Sequence, residues 1–270
     1  MPQVRKKVGL ALGSGGVRGL AHIGVLKVLI KNDIPIDYIA GCSIGAWIGA
    51  HYALHQDLNK LIEATIINKK EKLAVLLEPT LRGGLAKGER LAKLFEKYFG
   101  KTEFKDLKIP MKIVATDLAN GERITFADGK IVDALHASMS VPYIFAPFLQ
   151  NGKVLVDGGI SNPVPDNVVK DMGADIVIAV NLDNFLRNGV DDWGRQGFTR
   201  KITRTLDIMR HYLAQYSIQN ADIIIEPDIH LPGIRSWKNF FMEGEDEKLI
   251  KIGEEEAEKK ILEIKKLLNC

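Results

Sequence analysis

The sequence predicts an α/β protein in three layers, helices covering both faces of a central, largely parallel sheet. Two observations carry that prediction. Strand-like and helix-like segments alternate along the chain, which favours parallel strands joined by helical crossovers. The clearest strands, Val8–Leu12 and Asp175–Val180, are short and almost wholly apolar, as strands buried on both faces are.

The elements follow in order. Val8–Leu12 is a buried strand ended by glycines. Leu20 to Ile30 repeats apolar residues at helical spacing, closed by Asn32-Asp33 and Pro35. Tyr38–Ala40 is a short strand leading to Gly41, and Ile44 to Leu54 a buried helix with Gly45, Ala46, Gly49 and Ala50 on its packing faces. A helix over Leu58–Ile67 comes next, then an irregular stretch broken by Pro79, Gly83 and Gly84. Glu89 to Phe99 is helical. Lys112–Thr116 and Arg123–Thr125 read as a hairpin turning at Asn120-Gly121. A helix over Ile131–Met139 stops before Pro142, and a strand over Val154–Val156 ends at Asp157-Gly158-Gly159. Asp166–Met172 is a helix, 184–197 a polar loop, Ile202–Ile218 a long helix and Ile223–Ile225 a last strand. One C-terminal helix lines up Leu249, Gly253, Ala257, Ile261, Ile264 and Leu268 on a single face. No repeat or linker divides the 270 residues, so one domain is expected, with the motifs in about 8–180 and the region about 200–270 packed on it.

Composition narrows the function. Hydrophobic residues at 46% and charged residues at 26% are ordinary for a globular protein, and a net charge of +3 is too small to argue for nucleic acid. Both signs alternate from Glu254 to Lys266, as on a solvated face. Cys42 and Cys270 form neither a disulfide framework nor a metal-ligand cluster, and Cys42 reads as packing. Arg5-Lys6-Lys7 and the apolar residues after it are too short for a signal peptide, and no apolar stretch reaches membrane-span length. A cytoplasmic protein is the expectation.

Three glycine-rich signatures carry the chemistry. Gly41-Cys42-Ser43-Ile44-Gly45 lies between a strand and a helix, the setting of a nucleophile elbow. The alternative is a plain small-residue turn. Gly13-Ser14-Gly15-Gly16-Val17-Arg18-Gly19 also joins a strand to a helix. It departs from the dinucleotide fingerprint, which needs a glycine where Arg18 stands, and from the P-loop, which needs Gly-Lys-Ser/Thr. Its successive N–H groups suit a transient oxyanion. A tight packing turn remains open, and Arg18 reads as a loop support paired with a carboxylate.

Asp157-Gly158-Gly159 ends a strand and supplies a carboxylate framed by glycines. Of the six histidines only His211 and His230 follow Asp157, and neither has a glycine-framed strand-end setting. A Ser43–Asp157 dyad is therefore preferred, with a Ser–Asp–His triad as the alternative. A carboxylate is a weak base for a hydroxyl, so such a dyad needs strong oxyanion stabilisation.

These signatures, in this order and over residues ~8–180, resemble the patatin-like phospholipase family. Gly15-Gly16-Val17-Arg18-Gly19 and Gly41-Cys42-Ser43-Ile44-Gly45 are specific matches, joined by Asp157-Gly158-Gly159, Asn162-Pro163 and Ala137-Ser138 before Val141-Pro142. The resemblance implies Ser43 as nucleophile, Asp157 as base, Gly15 and Gly16 with Val17 as oxyanion donors, and Arg18 as loop support. It also implies lipid acyl-ester substrates, an acyl-serine intermediate, and no cofactor or metal. Acyl transfer to an alcohol and lipid binding without turnover are the competing functions. Candidate surfaces for the acyl chain are Leu73–Leu77 with Leu81 and Leu85, Pro142–Phe148, and Leu206–Leu213, with ordinary core as the alternative for each. Lysine-flanked Leu73–Leu77 is the expected lid or transient membrane-surface contact.

Overall fold

A computed structural model describes residues 5–66, 84–86, 88–183, 197–229 and 246–269. The main sheet is built on parallel strands β1 (Val8–Leu12) and β2 (Tyr38–Cys42). Strands β3 (Gly84–Ala86), β4 (Met111–Asp117), β5 (Arg123–Phe126), β6 (Tyr143–Phe145), β7 (Phe148–Gln150), β8 (Lys153–Asp157), β9 (Ile176–Val180) and β10 (Ile223–Ile225) follow along the chain. Spatial order is β10-β9-β1-β2-β4-β8-β7, with β5 also paired to β4. The five strands from β10 to β4 are mutually parallel, and β5, β7 and β8 add an antiparallel margin. Strands β3 and β6 form a separate parallel pair.

Side-chain alternation along β1 explains the layers. Val8, Leu10 and Leu12 enter a large core with helices α1 (Leu20–Lys31) and α2 (Ile44–His55). Ala11 points to the other face, where Ala40, Val114, Val177 and Ala179 meet Val164, Val168, Val169 and Ala214. A strand buried on both faces has no polar face to show, hence the unbroken apolar runs. Helices α3 (Leu58–Thr65), α4 (Glu89–Phe99) and α5 (Ile131–Ser138) precede α6 (Asp166–Lys170), and α7 (Phe198–Tyr216) lies beyond β9. The antiparallel β4–β5 pair turns through Asn120 and through Gly121 at φ 76°, as the sequence reading expects.

One reading needs correcting. The C-terminal segment is two helices, α8 (Asp246–Glu258) and α9 (Ile261–Leu268), separated by a tight turn in which Lys260 N–H donates to Ala257 O at 2.9 Å. All six predicted stripe residues are nonetheless buried. Pro142–Phe148, taken as a groove candidate, contributes the short strand β6 and the start of β7, with Tyr143 exposed at φ 70°. Leu73–Leu77, Leu81 and most of the 184–197 loop lie outside the described residues. Among the described residues no helix is long and apolar enough to cross a membrane.

Candidate active site

Strand register brings the predicted residues together. Cys42 stands opposite Val114 on β4, and the next β4 residue, Ala115, stands opposite Asp157 on β8. Ser43 and Asp157 therefore flank β4 at one level, about 10 Å apart strand to strand. Their side chains approach across that gap, near enough for the Ser43 hydroxyl to favour the charged form of the Asp157 carboxyl. Both residues are buried.

Ser43 is held in an unfavourable conformation, φ 54° and ψ −122°, at the N-terminal edge of α2. Such backbone costs of order 1–3 kcal/mol and persists only where its surroundings impose it. Here Ser43 N–H donates to Ser138 Oγ at 2.8 Å, and the Ser138 hydroxyl donates to Val114 O at 2.7 Å. The turn is pressed against the glycine loop. A Cβ on Gly45 would lie 2.1 Å from Leu12 O, and one on Gly19 would lie 2.2 Å from the Ile44 side chain. Any larger residue at either place would push loop and elbow apart.

Asp157 is fixed at both ends of its peptide unit. Its N–H donates to Ser140 O at 3.0 Å, and its carbonyl accepts from Thr116 Oγ1 at 3.0 Å. Its Oδ1 takes the Gly159 N–H at 2.7 Å. Burial pushes the carboxyl above the usual carboxylate range, partly opposed by the nearby Ser43 hydroxyl, the Gly159 N–H and the charge of Arg210. Raised basicity is what a carboxylate facing a hydroxyl requires.

The glycine loop follows β1, at the point where the sheet order reverses between β1–β2 and β1–β9. Ligands of open α/β sheets bind outside such a reversal, at the carboxyl ends of the strands. Ser14 N–H donates to Pro163 O at 2.8 Å, Gly16 takes φ 57°, and Gly16–Gly19 form a 3-10 turn. Among the described residues the N–H groups of Gly15, Gly16 and Val17 have no protein acceptor. Arg18 turns away to brace the loop. Its Nε donates to Gly15 O at 3.2 Å and its Nη2 to Asp183 Oδ1 at 2.8 Å, in a pair with side-chain exposures of 8% and 1%. This is the carboxylate partner anticipated for Arg18, although Asp183 itself carries no motif.

Several site residues escape motif reasoning. Asp183 and Arg210 join through bonds of 3.0 and 3.1 Å, and Ser14 Oγ lies between them. Ser138 has only its place in Ala137-Ser138 to mark it. His22 Nε2 donates to Gly13 O at 2.8 Å, and burial holds its pKa at about 4, so the ring supports the loop as a neutral donor. His211 Nδ1 meets the Asp183 carbonyl at 2.8 Å, and His230 lies outside the described residues. Cys42 is fully buried, and burial pushes its thiol well up, so it packs as a neutral group.

Fold and site together define an α/β/α protein in which a buried serine on a strained strand-to-helix turn and a buried aspartate lie at one level beside a glycine loop. A profile of the family described as patatin-like phospholipase matches residues 10–168, more than half of the chain. The chain belongs to that family. It is 35% identical over 178 residues to an uncharacterised NTE family protein of Mycobacterium tuberculosis, covering 66% of this chain and 49% of that one. It is 31% identical over 186 residues to lysophospholipase NTE1 of Pyricularia oryzae, covering 66% and 12% respectively. Patatin-like phospholipase domain-containing protein 6 of Mus musculus is 32% identical over 182 residues, 65% of this chain and 13% of that protein. The chain thus spans half or less of the length of these relatives. Among solved structures, VipD from Legionella pneumophila superimposes with a TM-score of 0.52 at 13% identity, over 96% of this chain and 67% of that one. That likeness is one of fold.

Proposed function

We propose that the chain hydrolyses carboxylic esters of lipids through a Ser43–Asp157 dyad. The observation that carries the reading is the strand register that sets Ser43 and the buried Asp157 at one level on either side of β4, next to a loop whose N–H groups have no acceptor among the described residues. As Ser43 Oγ attacks the acyl carbon, its proton passes to the Asp157 carboxylate, and the carbonyl electron pair moves onto oxygen. The N–H groups of Gly15, Gly16 and Val17 receive that oxyanion, each donor contributing about 3 kcal/mol by analogy with known oxyanion holes. Collapse expels the alcohol, protonated by Asp157, and leaves acyl-Ser43. Water then attacks the acyl group as Asp157 takes its proton, and collapse returns that proton to Ser43 Oγ as the fatty acid leaves. Lysophospholipase activity, as the name of the Pyricularia relative states it, is the form of this chemistry we assign.

An organophosphonate ester probe tests the reading. We expect one covalent adduct by intact mass, located by peptide mapping at Ser43. Absence of an adduct, under conditions where short-chain esters also persist, would replace hydrolysis by binding without turnover.

The acyl chain and the lipid surface are assigned to α7. This helix packs its polar side inward, with Asp207, Arg210 and His211 part-buried, and leaves Ile202, Leu206, Met209, Tyr212 and Tyr216 exposed. Spacings of three and four residues put these in one stripe on the helix that carries Arg210 to the site. A transient contact of this stripe with a membrane surface is the role proposed. Since each such side chain gains roughly 1.5–3 kcal/mol on burial, Met209→Glu with Tyr212→Glu is expected to lower turnover on vesicle-bound substrate at least tenfold relative to a soluble ester. Parallel rate measurements on the two substrates check this, and an unchanged ratio would remove α7 from the contact.

A further inference from the structure

Arg210 has chemistry that the dyad does not use. Its Nη2 donates to both carboxylate oxygens of Asp183, at 3.0 and 3.1 Å, and to Ser14 Oγ at 3.2 Å. The same carboxylate already takes Arg18, so two guanidinium groups share one acid. The other charges in reach are Asp207 and Arg204 on α7 and Asp157 at the dyad. Arg18 is enclosed, but Arg210 keeps 37% of its side-chain surface exposed. Among the described residues its Nε and Nη1 donors have no acceptor.

Ser14 ties this group to the dyad. Its hydroxyl donates to Asp183 Oδ2 at 3.3 Å, and a Cβ on Gly159 would lie 3.0 Å from its Oγ. Gly159 N–H in turn donates to Asp157 Oδ1. Ser14 thus sits between Arg210 and the Asp157 turn, and the Arg210 and Asp157 charges are near enough to interact, so Arg210 borders the ester site.

Resting on the hydrolase reading above, we propose that Arg210 is a specificity-determining residue that binds the phosphodiester of a glycerophospholipid whose acyl ester lies at Ser43. Nη2 is taken by Asp183 and Ser14, and the remaining Nε–H and Nη1–H groups of this permanently charged guanidinium can each donate to an anionic oxygen of the phosphate. Asp183 and Ser14 fix the guanidinium through Nη2, so little rotamer freedom is lost when the phosphate binds. A monoacylglycerol has no anionic oxygen to offer. A free fatty carboxylate could supply the same charge, and the experiment separates the two.

The test compares a short-chain lysophospholipid with the monoacylglycerol bearing the same acyl chain, both monomeric in solution. The native protein should favour the phospholipid in kcat/KM, and Arg210→Gln should reduce that preference about 30-fold, mainly through KM. Arg210→Lys, which keeps the charge but loses the planar group that Asp183 and Ser14 hold in place, should fall between. Equal losses on both esters would mean that Arg210 only holds Asp183 and Arg18 in place, and would overturn the proposal. A non-hydrolysable ether lysophospholipid provides a readout apart from turnover. It should bind the native protein tens of times more tightly than the Arg210→Gln variant, and more tightly than a fatty acid of equal length. Arg210-dependent binding without turnover would support phosphate recognition while removing the hydrolase reading. Tighter Arg210-dependent binding of the fatty acid would assign the charge to the carboxylate instead, and equal binding of the ether by both proteins would also refute the proposal.

Discussion

Ser43→Ala is expected to lower kcat on a short-chain ester by at least about ten-thousand-fold, because removing a nucleophile leaves only the residual acceleration from binding and the oxyanion donors. Initial rates with active-site titration check this, and a variant keeping a few per cent of native turnover would end the assignment. The strained backbone makes a companion result testable. At φ 54° and ψ −122°, glycine relieves strain that serine and alanine both bear. Ser43→Gly should therefore be just as inactive but more stable, by about 1 kcal/mol after its extra unfolded-state entropy is counted. Urea or thermal melts would register the gain. Inactivity coupled to greater stability is hard to explain if Ser43 is only a packing residue.

Asp157→Asn is expected to lower kcat about a thousand-fold or more, since the amide cannot accept the Ser43 proton. The pH profile carries the sharper test. The native Asp157 carboxyl titrates above the usual carboxylate range, and its ionised form is the active one, so kcat/KM should rise as pH increases through that raised pKa. The residual activity of the variant should lack this acid limb. Stability moves the other way. In this pH window the folded state holds a proton that the unfolded chain has released, so ionisation of Asp157 destabilises the fold as pH rises. At neutral pH the native protein bears that penalty and Asp157→Asn does not, so the variant should melt higher. The same assays on His211→Ala and His230→Ala settle the triad alternative: loss of turnover in a histidine variant but not in Asp157→Asn would reject the dyad.

How legible a segment was depended on whether its role is local. The elbow and the Asp157 turn could be read because tight turns beside a strand end demand glycine at fixed offsets, as the contact between Gly45 and Leu12 illustrates. Helix Glu89–Phe99 was read to its ends, its apolar stripe facing the core and Gly100 at φ 53° ending it. The long helix α7 starts at Phe198, four residues before the expected Ile202, because its apolar residues face outward and its half-buried side is polar. Hydrophobic periodicity locates a helix whose greasy side is buried, and this one is inverted. The short strands β6 and β7 have too few residues for any period to register.

Chain order alone determined the layered α/β architecture, the serine and aspartate at two strand ends, and the glycine loop, since each follows from neighbours a few positions away. Only the folded arrangement decided that β4 carries Ser43 and Asp157 to one level, and that β9, laid beside β1, brings Asp183 under Arg18 and Arg210. Those pairings join residues far apart along the backbone through strand register and side-chain reach. No local pattern of residue types encodes such distances, which is why Arg210 becomes visible only in three dimensions.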